Sequence, residues 1–441
     1  MPTGQAGATQ AGFSRQEITP EKPTRMGGYR MRREKSIGVH DQIFASCAVI
    51  SKGSNRVVLL ALDLLCLMHD TVARAKAAIN KSTTIPPSNI VIGCTHTHSG
   101  PDTKLLFYDD PQIKEYCDTL PEILSNLVQE ALAKLSEVKV SIAQVNIYNV
   151  AYNRRLLLKD GTETINVIKV DPREIVSSGP IDPDATIVFF EHNGTYTGAL
   201  VNFTLHATIL GETNLLYTRD FAGYLVDDIS SNLVGQPITL FFNGAFGNIN
   251  QIEKPGIWNS TFKEAQRIAE SISRPLLNAT PYYIYPQNIK ILHQFLNIPR
   301  REHSITTHET HQKIAYLKEK EMTSTGEEKQ AALKDRIFLQ EALQLSQLEE
   351  QVELQLLKIG PLEIIVFPGE VFVEHGLAVK NSSQSDYCLI FGNCNGYIGY
   401  VPLAASFEKG GYETRFSFTS RLIPEAGDQI VNTIKEMRRH T

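Results

Sequence analysis

Short apolar runs alternate along the chain with amphipathic stretches, a pattern that predicts strands interleaved with helices. Val57-Val58-Leu59-Leu60-Ala61-Leu62-Asp63-Leu64 and Ile90-Val91-Ile92 read as buried strands, separated by a helix over His69–Lys81 whose alanines share a face. Pro111–Ser136 reads as a longer helix kinked near Pro121. Strands are expected around Val138–Val150, Thr186–His192, Thr197–Thr204 and Ile238–Phe242, with Asn193-Gly194 turning a hairpin between the middle two. A hairpin beside strand–helix–strand units mixes antiparallel with parallel pairing. The expected fold is therefore α/β, a mixed β-sheet core flanked by helices.

Texture changes between Thr306 and Gln351, where Glu, Lys, Gln, Ala and Leu dominate around a break at Ser324-Thr325-Gly326. Two helices packed as a hairpin are expected over about 306–351, with Phe338, Leu339, Leu343, Leu345 and Leu348 as apolar positions. Scaffold, or contact in a homo-oligomer, is the favoured role, ahead of a substrate lid. Residues Met1–Gly12 are expected to form a disordered tail.

Length alone, 441 residues, suggests two to three domains at about 150 residues each. A hydrophobic content of 42% and a charged content of 21% are ordinary for a soluble protein. The net charge of -5 gives no basic patch for nucleic acid. No run approaches the roughly 18 apolar residues of a transmembrane helix, and the first ten residues lack a basic start and an apolar region, so a cytoplasmic location is expected. Six cysteines show no CxxC spacing, and free buried thiols are expected.

Chemistry enters with Gly93-Cys94-Thr95-His96-Thr97-His98-Ser99-Gly100-Pro101-Asp102, which places two imidazoles two residues apart just after an apolar run. In an extended segment both rings share a face, and neutral imidazole is the commonest nitrogen ligand for zinc. Further polar residues stand at the ends of other apolar runs. His206 follows Leu200-Val201-Asn202-Phe203-Thr204-Leu205, Glu370 follows Leu362–Phe367 and is expected to begin a helix over Val371–Lys380, and Tyr397-Ile398-Gly399-Tyr400 follows Cys388–Phe391. Strand ends are where open α/β sheets place their sites.

These pieces together resemble the neutral, non-lysosomal ceramidase family of zinc amidases. The resemblance runs from about Met26 to about Glu413 and includes Gly38-Val39-His40-Asp41, Thr95–Pro101, Tyr152-Asn153-Arg154-Arg155, Arg219–Tyr224, Gly244–Asn250, Pro368-Gly369-Glu370 and Tyr397-x-x-Tyr400 with Tyr412 beyond. It implies a zinc ion held by His96, His206, Glu370 and Tyr400, with His98 hydrogen-bonding the attacking water, Tyr412 contacting the reacting group and Arg154 in the pocket. Two departures stand out. Asn250 occupies the place of a serine in the GDVSPN-type loop, and the sequence ends soon after Arg438-Arg439-His440, so a single catalytic domain over 13–441 without the family's C-terminal β-sandwich is expected.

Two histidines, one carboxylate and one phenol would leave zinc electrophilic, with water at a pKa of about 7 as nucleophile. His98 would carry the acid and base steps, and Tyr412 would support the oxyanion. The expected substrate is a small-molecule or lipid-like acyl amide; an ester or lactone, or a zinc protein without turnover, are the competing readings. Blander roles stand beside these. Glu370 also suits the first turn of a helix, His40 and Asp41 read as a buried structural pair, and Asn250 either binds substrate or caps the Gly-rich loop. His308 and His311 would be neighbours on a helix, on a solvated face rather than at a second metal.

Overall fold

The computed structural model describes residues 7–104, 110–165, 170–251, 259–301, 307–343 and 349–440. Its frame consists of three larger sheets that share one core. The first runs Ile90–Cys94, Asn55–Leu62, Phe44–Lys52, Thr9–Glu17, Ser136–Glu137 in spatial order, the second Ile238–Asn243, Thr195–Phe203, Asp184–His192, Lys139–Asn146, Tyr282–Ile284, and the third Ile289–Pro299, Glu349–Ile359, Leu362–Val366, Tyr387–Phe391.

Each sheet holds one parallel pair, and each pair is joined by a helix. Asn55–Leu62 and Ile90–Cys94 are linked through His69–Thr83, Thr195–Phe203 and Ile238–Asn243 through Asp220–Asn232, and Leu362–Val366 and Tyr387–Phe391 through Val373–Asn381. Parallel neighbours need such a crossover because their ends lie at opposite edges of the sheet. All other pairings within these sheets are antiparallel, as at Asp184–His192 against Thr195–Phe203, where Asn193 and Gly194 both take the positive φ that the tight turn requires.

Side chains from all three sheets meet in one apolar cluster that includes Phe13, Leu59, Val140, Phe190, Phe242, Leu357, Ile364 and Phe391. Phe242 and Phe391 stack across two sheets with ring centroids 4.1 Å apart. Helices cover the outer faces. Val72, Ala75 and Ile79 of His69–Thr83 and Leu120, Leu124 and Val128 of Pro111–Ala133 cover the first sheet, the latter helix running on through Pro121. Among the described residues no helix is long and apolar enough to cross a membrane, and all six cysteines are unpaired.

Several expectations need correction. Thr9–Gly12, expected in a tail, are strand residues paired with Val49–Lys52, because Ala11 and Phe13 bury themselves in the core; Met1–Ala6 lie outside the described residues. The helical hairpin is found as Thr307–Thr323 and Gly326–Leu343, with Gly326 at φ 59°, but Glu349–Gln351 already belong to a strand; Leu345 and Leu348 lie outside the described residues. His40 is exposed rather than buried with Asp41. Its ring stacks on Phe262 at 3.6 Å and bonds the Tyr224 hydroxyl, while Asp41 pairs with Arg219.

Candidate metal centre and catalytic cavity

The three crossover units deliver their strand ends to one place. His96 lies two residues beyond Ile90–Cys94, His206 three beyond Thr195–Phe203, and Glu370 four beyond Leu362–Val366. His96 reaches the site by leaving the extended conformation: its φ is 68°, and its backbone N–H donates to the Leu64 carbonyl. The His98 N–H donates to Ala207, which ties the two histidine segments together.

Glu370 does not start a helix. It pairs in parallel with Tyr400 in a two-residue bridge, Glu370–Val371 against Tyr400–Val401, and the helix begins only at Val373. Gly369 at φ 73° makes the turn, and an added Cβ there would strike the Gly399 carbonyl. The bridge sets Tyr400 beside the carboxylate, and the Tyr397 hydroxyl donates to Glu370 Oε1 at 2.6 Å.

Oε2 of Glu370 is buried without a hydrogen bond and stands 3.4 Å from both His96 Nε2 and His206 Nε2. Donors bound tetrahedrally to zinc at about 2.0–2.2 Å lie about 3.3–3.5 Å apart, so both carboxylate–imidazole separations suit donors of one small cation. Their outer contacts agree. His96 Nδ1 donates to the Leu65 carbonyl at 2.7 Å and His206 Nδ1 to the Phe246 carbonyl at 3.2 Å, so in each ring the proton sits on Nδ1 and the Nε2 lone pair faces Glu370. Burial pushes His206 down to about 4. Burial opposes ionisation of Glu370, and it is a positive charge at the His96 and His206 positions that holds its carboxyl well below the usual range.

His98 completes a group of three imidazoles whose nitrogens lie within 4.8 Å of one another, the only such cluster of metal-type donors among the described residues. Both of its ring nitrogens lack a hydrogen-bond partner. Burial, then the neighbouring His96 and His206, keep it well below its ordinary pKa, so it rests neutral. Its ring edges against Tyr29 and sits on Gly28, where an added Cβ would collide with it. Arg32 donates to the His98 carbonyl at 2.6 Å and fixes the backbone.

His96, His98, Glu370, Tyr397, Tyr400 and Tyr412 line one cavity, with Tyr412 40% exposed at its mouth. Arg154 and Asn250 stand one layer behind. The Arg154 guanidinium donates to Glu413 Oε1 at 2.7 Å, to Asn250 Oδ1 at 3.1 Å and to the Gly247 carbonyl at 2.6 Å, and lies 5.1 Å from the Tyr412 ring. Burial works against this charge, but Tyr412, Glu413 and Tyr400 more than offset it. Asn250 is a strand residue paired with Tyr152 rather than a loop cap. His308 lies on the hairpin, bonded to Gln312.

Sequence reasoning passed over several supports. Asn393 donates to the Leu65 carbonyl, the same oxygen that orients His96, and to the Cys94 carbonyl. Arg421, 1% exposed, holds the Tyr397 carbonyl at 2.7 Å while paired with Glu350. Asn393 stands in the turn-rich Gly392–Gly396 segment, whose asparagines at positive φ were the one available signal. Removing the Tyr397 hydroxyl leaves Glu370 Oε1 without its donor. Tyr397→Phe should weaken metal affinity about 10- to 100-fold with the fold intact, read by competition against a chromogenic chelator.

Comparison with known proteins converges on one family. The sequence profile described as neutral/alkaline non-lysosomal ceramidase, N-terminal, matches residues 10–249. Neutral ceramidase A of Dictyostelium discoideum is 25% identical over 261 residues, 55% of this chain and 35% of its own length. Neutral ceramidase of Pseudomonas aeruginosa is 26% identical over 228 residues, 48% of this chain and 32% of its own. These matched segments span about a third of each relative. The crystal structure of neutral ceramidase from Pseudomonas aeruginosa superposes with a TM-score of 0.73 at 18% identity, covering 98% of this chain and 74% of that one, so the fold is shared well beyond the segment that sequence aligns. With its profile match extending over more than half its length, the chain belongs to the neutral/alkaline non-lysosomal ceramidase family.

Proposed function

We propose that this protein is a zinc-dependent hydrolase that cleaves the amide bond of an N-acylated amine or lipid. The observation that carries the reading is the orphaned Glu370 Oε2 standing 3.4 Å from both His96 Nε2 and His206 Nε2, flanked by an unpartnered neutral imidazole. The relatives named as neutral ceramidases support the amide as the bond attacked. Tyr400, in register beside Glu370, is the fourth donor of the set.

Zinc bound there would supply a Lewis acid and bring water into a nucleophilic state near neutral pH. The protein's own residues do the rest. His98, with both nitrogens free, takes the proton from the attacking water and returns it to the nitrogen of the departing amine, so that amide and water become carboxylate and amine. Tyr412 reaches the mouth from beside Tyr400 and donates its hydroxyl to the carbonyl oxygen as that oxygen gains charge. Arg154 behind both rings holds them in place and adds a fixed positive charge.

Amine release from short N-acyl amines should fall more than about tenfold after chelation and return on adding one equivalent of zinc, since the ion contributes several kcal/mol. Metal-free protein that is inactive and indifferent to zinc would overturn the proposal.

A further inference from the structure

The cavity beside Glu370 and His96 is small, and its wall mixes aromatic rings with charged side chains. It encloses about 200 Å³, below the roughly 300–1,000 Å³ of typical ligand sites. Among its described wall residues, only Met31 and Leu65 are aliphatic. So small a space cannot enclose a pair of long alkyl chains, and its wall carries charge.

Lys104 is the unexplained charge. It follows the turn that carries His96 and His98, lines the same cavity and is 9% exposed. Its ammonium has no hydrogen-bond or ion-pair partner among the described residues. Asp102 feels the charge without pairing with it, and burial raises the Asp102 carboxyl, which makes it a poorer counter-ion still. Arg30, on the same wall, is already engaged with the Thr419 hydroxyl at 3.2 Å and stacked on Phe338 at 3.8 Å. An ammonium on the wall of such a cavity, with no counter-ion among the described residues, is placed to receive a ligand that brings the missing charge.

We infer that the substrate carries a carboxylate within a few bonds of the scissile amide, as an N-acyl amino acid does, and that Lys104 receives it. The inference rests on the hydrolase reading above for the amide, and on Lys104 alone for the anion. The small volume keeps the carboxylate close to the reacting carbonyl.

The test is calorimetric titration of the chelator-treated protein with a short N-acylglycine and with its neutral methylamide. The carboxylate should bind at least about tenfold more tightly, as expected for a charge-assisted contact. Lys104→Met should abolish that preference and Lys104→Arg should keep it, with thermal unfolding checking that both variants fold. Equal affinity for the two ligands in the wild type, or a preference that survives Lys104→Met, would overturn the assignment. Hydrolysis of both compounds by the zinc-loaded protein at equal kcat/KM, alongside equal binding, would overturn the anion inference alone. A carboxylate preference with no hydrolysis of either compound would support the role of Lys104 and sink the hydrolase reading.

Discussion

Glu370→Ala protein purified without added metal should contain less than about a tenth of an equivalent of zinc, against about one in the wild type, and its kcat/KM on an N-acyl amine should fall roughly 1,000-fold or more. The size follows from what the carboxylate does. Glu370 would supply the carboxylate donor of the set, and without it the imidazoles of His96 and His206 face an empty corner. A site of two histidines retains too few donors to close around zinc. Glu370→Gln separates shape from charge: its amide oxygen can still accept from the Tyr397 hydroxyl, but it cannot balance the ion. Plasma mass spectrometry reads the metal directly, and a full equivalent of zinc in the alanine variant would remove Glu370 from the ligand set.

The second large effect is expected at His98. His98→Ala should keep its zinc and lose about 10²- to 10⁴-fold in kcat, the range of general acid–base contributions. Gly28→Ala should act in the same direction by pushing the imidazole off its seat, without touching a donor of the triangle. The metal content of these variants also decides between two ligand sets, because His98 lies close enough to His96 and His206 to be a third nitrogen donor. Loss of zinc in His98→Ala would make it a ligand and transfer the proton steps elsewhere. Full activity in that variant would refute both roles.

The sequence pattern made the chemistry more legible than its supports. The alternating strands and helices, the Asn193-Gly194 hairpin and the two-helix segment are local signals, since periodicity and turn chemistry act over a few residues. That His96, His206 and Glu370 would converge was legible because short motifs mark strand ends. Tyr397, Asn393, Glu413 and Arg421 were not, because each acts through a partner far away in sequence: Tyr397 on Glu370, Asn393 on the Leu65 carbonyl, Glu413 on Arg154 and Arg421 on Glu350. No local pattern records such a pairing. Glu370 was misread as a helix start because Pro-Gly-Glu before an apolar run looks like an N-terminus, whereas pairing with Tyr400, thirty positions away, keeps it extended. His40 was misread for a related reason. An aspartate beside a histidine suggests a couple, but tertiary contacts sent Asp41 to Arg219 and His40 to Phe262 and Tyr224.

Because His96, His206 and Glu370 issue from three separate sheets, an ion at their meeting point would work as a rivet through all three layers rather than as a clasp on one loop. Its binding free energy then adds to the unfolding free energy of the shared core, about 4 kcal/mol when free metal exceeds the dissociation constant a thousandfold. Timing follows from the same geometry. While the protein is being made, both histidines leave the ribosome well before Glu370 and Tyr397, so capture of an ion by this set would belong to the last stage of maturation.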